Sequence, residues 1–106
     1  MNLPEPVAAY LAAETAKDAD AQSLLFTEDS SVHDENNDYR GRDAIRAWKK
    51  AAQAKYQYET EVLEASTSGD TTTVHARLSG NFPGSPVEVE LTFTISNDKI
   101  ASLVID

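Results

Sequence analysis

The 106-residue chain contains no cysteine. That excludes a disulfide framework, a thiol nucleophile and a thiolate metal site. Histidine is nearly absent too: His33 and His75 are the only two. Neither has ligand spacing around it, so no metal is expected. The four glycines form no phosphate-cradling loop, and no Gly-x-Ser-x-Gly elbow occurs. Basic residues are few, nine Lys and Arg against 18 Asp and Glu, for a formal net charge of −9. A chain this acidic repels phosphate backbones and shows no basic stripe, which disfavours nucleic acid as a partner. No apolar run approaches the roughly 18 residues of a membrane span. The opening MNLPEPVAAYL has no basic segment and no sustained apolar run. No secretory leader is therefore expected, and the location expected is cytoplasmic.

What remains is ordinary for one globular domain over residues 1–106: 41% hydrophobic and 25% charged residues. Pro4 and Pro6 precede Val7, Tyr10 and Leu11 at helical spacing, which predicts a helix to about Lys17 with proline in its first turn. Tyr10 lies on the inner face, either as a core tyrosine or with its hydroxyl aimed into a cavity. Asp18 or Asp20 can cap a short second helix carrying Ala21, Leu24 and Leu25. Phe26 follows, residues 27–30 read as a turn, and residues 31–34 as a short strand. Strand alternation puts Val32 and Asp34 on one face and His33 on the other. If Val32 faces the core, so does Asp34, and a carboxylate there is costly unless it is partnered.

Residues 35–38 read as a polar loop. Gly41 then opens a third helix, with Ile45, Trp48 and Ala52 as its inner stripe. Arg46, Lys49, Lys50 and Lys55 are expected on its solvated face. From Tyr56 onward the pattern is β. Leu63 falls out of phase with Tyr58, Thr60 and Val62, which predicts a bulge. Val74, Ala76 and Leu78 alternate with His75 and Arg77, and Leu91, Phe93 and Ile95 alternate with Glu90, Thr92 and Thr94. Asn97-Asp98 predicts a tight hairpin before the last strand. Helices followed by a meander predict an α+β fold, with helices on one face of a curved antiparallel sheet.

The order of elements, with VAAYLAAETAKDADAQSLLF, SSVHDENNDYRGRDAIRAW and VELTFTISNDKIASLVI, resembles the nuclear transport factor 2-like superfamily. Within it the chain is similar to the SnoaL-like polyketide cyclase and ketosteroid isomerase branch. The resemblance covers nearly the whole chain and implies a cone-shaped, cystatin-like α+β roll with a hydrophobic cavity, in many members a homodimer through the outer sheet. It also implies a helix-1 tyrosine as hydrogen-bond donor and a strand-end aspartate as proton shuttle, which fall at Tyr10 and Asp34. Aromatic pocket positions fall at Phe26 and Trp48. The isomerase's third acid falls at Leu91, with Glu90 one residue off, so the steroid isomerase set is incomplete. An epoxide hydrolase set would need an aspartate two residues beyond Arg77, and there is none.

Three readings stay open. One is a cofactor-free enzyme moving a proton on a hydrophobic ketone, as an isomerase or aldol cyclase. Its base would be Asp34, with His33 as the alternative, its donor Tyr10, and its pocket Phe26, Val32, Trp48, Leu91 and Phe93. The second is the same pocket binding a small hydrophobic ligand without turnover. The third is a dimerisation module.

Overall fold

The computed structural model describes residues 3–106. Helix α1 (Glu5–Ala16) starts behind Pro4, with Pro6 in its first turn, where a missing N–H costs nothing. It stops at Lys17, whose left-handed backbone (φ 56°) lets its N–H reach back to Glu14 O. Asp18 caps α2 (Ala19–Ser23), accepting from Ala21 N at 3.0 Å. Strand β1 (Phe26–Asp34) is longer than expected. Residues 27–30, expected as a turn, continue the strand: Glu28 and Asp29 face solvent while Ser30 is buried, and the backbone runs beside the last strand with an irregular register up to Ser31.

Residues 35–38 are likewise more than a loop. Glu35 and Asn36 both adopt positive φ (51° and 64°) and make a two-residue hairpin into β2 (Asn37–Arg40). Gly41 (φ 84°) turns the chain into α3 (Arg42–Lys55), its N–H donating to Ser30 O at 2.9 Å. Four strands follow: β3 (Tyr58–Ser68), β4 (Thr71–Gly80), β5 (Val87–Ser96) and β6 (Lys99–Ile105). The bulge sits in β3 where expected, the register slipping between Val62 and Glu64. Asn97 and Asp98, both at positive φ, form the β5–β6 hairpin.

The sheet runs β2-β1-β6-β5-β4-β3 and is open, with β2 and β3 as edges. It is mixed rather than wholly antiparallel, because β1 pairs with β6 in parallel. A parallel pair needs a crossover connection, and here α3 with β3, β4 and β5 supplies it. The helices pack on the concave face. Val7, Tyr10, Ile45 and Trp48 meet Val32, Val74, Ala76, Phe93 and Leu103 in one buried cluster. Among the described residues no helix is long and apolar enough to cross a membrane.

Candidate functional site

Between α1, α3 and the concave face of the sheet lies a partly open cleft of about 1090 Å³. Its walls come from α1 (Tyr10, Glu14), the β1 end (Asp34), α3 (Trp48, Lys49) and β3–β6 (Tyr58, Leu91). Asp34 ends β1 on the same face as Val32, as strand alternation requires. Its Oδ2 accepts the Trp48 indole N–H at 3.1 Å. Tyr39, from β2, lies at 5.8 Å from the Trp48 ring at an interplanar angle of 31°. So one turn of α3 supplies both the wall behind Asp34 and the donor that orients it.

Tyr10 is a core tyrosine that also lines the cleft. Its ring is in the core, edge-on to Phe26 at 6.1 Å and to Phe93 at 5.2 Å, and the residue also lines the cleft. Burial, then the charges of Glu14 and Asp34, push its hydroxyl well above the ordinary tyrosine pKa, so it stays a donor. His33 reaches the cleft rim, but its Nδ1 lies 2.7 Å from Asp38 Oδ1 on the exposed hairpin. That ties it away from Asp34. Leu91 and Trp48 line the cleft. Phe26, Val32 and Phe93, expected as ligand contacts, are fully buried and lie behind the cleft wall. Their role is to set Tyr10 and the sheet surface in place.

The largest departure from expectation is Lys49. Expected on the solvated face of α3, it is only 4% exposed. Its Nζ sits 3.1 Å from Glu14 Oε1 and 3.4 Å from the Tyr58 hydroxyl oxygen. The Trp48 and Tyr10 ring centroids are 4.4 and 5.7 Å from it. Glu14 is gripped in turn: Gln22 Nε2 donates to Oε1 at 3.0 Å and the Tyr58 hydroxyl to Oε2 at 3.3 Å. Burial and the Glu14 charge raise the Tyr58 pKa strongly. The sequence held a signal for this: position 49 is the i+4 partner of Ile45 on the inner stripe, and Glu14 is the i+4 partner of Tyr10. Thr60 Oγ1, also on the cleft wall, has no partner among the described residues.

Chemically, the cleft is a largely apolar slot whose carboxylates include Asp34 from β1 and Glu14 from α1. Its polar groups include the protonated phenols of Tyr10 and Tyr58 and the side-chain amine of Lys49. Arg77 is not part of it, being spent on Glu61 (3.0 Å) and Glu88 on the outer face. Among the described residues no group of three His, Asp or Glu could hold a metal.

The family model of the SnoaL-like domain matches residues 7–103. The chain belongs to the SnoaL-like domain family. No curated protein matches it. Among solved structures, this SnoaL-like domain is similar to a Sinorhizobium meliloti protein inferred to be a polyketide cyclase. Identity is 41%, the TM-score 0.95, and the match covers 98% of this chain and 95% of that one. A Catenulispora acidiphila protein with a ketosteroid isomerase-like fold, in complex with trimethylamine, is 26% identical with a TM-score of 0.87. That match covers 99% and 86% of the two chains. The epoxide hydrolase/cyclase-like enzyme SalBIII, of pyran ring formation in salinomycin, is 21% identical at a TM-score of 0.83 over 95% and 86%, and shares the fold. The architecture is the cystatin-like α+β roll, and the SnoaL-like domain is related to polyketide cyclases and isomerases.

Proposed function

We propose that the cleft binds a small apolar carbonyl compound and moves a proton at the carbon next to its carbonyl, as in isomerisation or aldol cyclisation. The observation that carries this reading is the Asp34 carboxylate on the cleft wall, oriented through one oxygen by Trp48. A carboxylate fixed beside an apolar slot is placed to act as a general base. Tyr10, kept protonated by burial, donates to the substrate oxygen as negative charge develops there. The Sinorhizobium relative, inferred to be a polyketide cyclase, supports ketone chemistry. Leu91, at the position of the isomerase's third acid, argues for a substrate other than a steroid.

The test is solvent deuterium incorporation into simple ketones such as cyclohexanone and acetophenone, followed by NMR. Enzyme-dependent incorporation that Asp34→Asn removes supports the reading. Incorporation untouched by Asp34→Asn sinks it.

A second reading is ligand binding without turnover. The trimethylamine complex of the Catenulispora relative favours it. In this chain the Asp34 carboxylate lies at the indole edge of Trp48, whose ring packs against Tyr39, and a carboxylate beside aromatic rings suits a small ammonium ion. A trimethylamine titration that shifts these side chains, with no ketone exchanging, would select this reading. Homodimerisation through the outer sheet belongs to both readings, and light scattering at micromolar concentration shows it or excludes it.

A further inference from the structure

Lys49, Glu14 and Tyr58 come from three separate elements, α3, α1 and β3, and converge on one corner of the cleft. A buried ion pair is a poor device for stability, because desolvation offsets most of its attraction. A buried amine at the wall of an apolar pocket, beside a carboxylate able to take its proton, is instead the setting of carbonyl chemistry at lysine.

We propose that Lys49 is a Schiff-base lysine: its Nζ condenses with an aldehyde or ketone held in the cleft, with Glu14 carrying the protons. This rests on the reading that the cleft takes carbonyl compounds and adds a covalent step to it. The ammonium first passes a proton to Glu14, 3.1 Å away. The freed lone pair attacks the carbonyl carbon, the carbonyl π pair moves to oxygen, and that oxygen takes the second nitrogen proton. Glu14 then returns a proton to that hydroxyl. Water leaves as the nitrogen lone pair forms the C=N bond. Two nitrogen protons depart with the oxygen, one remains, and the nitrogen is positively charged before and after.

The surroundings suit the product. An iminium at this position keeps Glu14 as counter-ion and the Trp48 and Tyr10 faces, 4.4 and 5.7 Å from Nζ, as cation-binding walls. The local field points the same way, since the charges of Glu14 and Asp34 both disfavour phenolates at Tyr10 and Tyr58. An iminium also acidifies the neighbouring C–H, and Asp34, which lines the same cleft, takes that proton to give an enamine.

The experiment is reductive trapping: whole protein with cyclohexanone and cyanoborohydride, then peptide mapping by mass spectrometry. The expected result is a cyclohexyl adduct on Lys49 that is lost in Lys49→Arg, a variant that keeps the charge toward Glu14. Absence of any adduct overturns the proposal. So does an adduct spread over Lys17, Lys50, Lys55, Lys99 and the amino terminus. If Lys49→Arg fails to fold by circular dichroism, the wild-type map decides alone. Asp34→Asn separates the two ideas, since it is expected to lose deuterium exchange and keep the Lys49 adduct. Exchange without an adduct overturns only the Schiff base, and an adduct without exchange overturns only the Asp34 reading.

Discussion

Trp48 donates its indole N–H to Asp34 Oδ2 across 3.1 Å. The next residue, Lys49, holds Glu14 at the same distance. Two adjacent positions on α3 therefore fix two of the cleft carboxylates, one from β1 and one from α1. The two side chains stay close, with Lys49 Nζ 4.4 Å from the Trp48 ring centroid.

Trp48→Phe keeps the aromatic wall and removes the donor. A hydrogen bond to a charged group contributes about 1–2 kcal/mol when part-exposed. Urea unfolding is expected to show a loss of that size. Ketone exchange is expected to fall, because Asp34 loses its orientation.

Lys49→Met leaves Glu14 buried without its cation. Breaking a buried pair in this way costs about 3–5 kcal/mol. The double variant Glu14→Gln/Lys49→Met is expected to recover most of that loss. A double-mutant cycle from urea melts measures it, and independent, additive effects would show that the pair is not coupled.

Alkaline pH is expected to destabilise the fold through Tyr10 and Tyr58. Both have folded pKa values raised above the ordinary 10.0, first by burial and then by Glu14. The unfolded state therefore loses these protons at lower pH than the folded state. The stabilisation is complete below pH 10.0 and is lost as pH rises through and beyond it. Melting temperatures taken across this range check it, and Tyr58→Phe is expected to flatten the fall.

Gly80→Ala is expected to be damaging although Gly80 is exposed. A Cβ there would overlap Gln57 O and come within 2.7 Å of Tyr58 Cα. These are backbone neighbours that cannot rotate away. Overpacking of this kind costs about 1–3 kcal/mol, and the displaced Tyr58 is expected to weaken Lys49 trapping as well.

Much of the fold was legible from local signals. The Pro4/Pro6 helix start, the bulge at Leu63 and the Asn97-Asp98 hairpin each depend on a few neighbouring residues. Asp34 was legible from its alternation with Val32. What depended on distant partners was not. The parallel β1–β6 pairing joins the first strand to the last, and β2 is a polar four-residue strand that only its pairing to β1 defines. Lys49 looked like one of several lysines on α3 because its partners, Glu14 and Tyr58, lie on other elements. Counting position 49 within the Ile45–Trp48–Ala52 stripe would have drawn it inward.

Trp48 is the only tryptophan in the chain, so its indole N–H gives one signal in a nitrogen–proton NMR spectrum. Titrating cyclohexanone and acetophenone against that signal tests most directly whether the ligand sits beside Asp34. A saturable shift of the indole resonance, altered in Asp34→Asn, is the expected result. An indole resonance that stays fixed while every ketone is raised to saturation would contradict a functional site at this cleft.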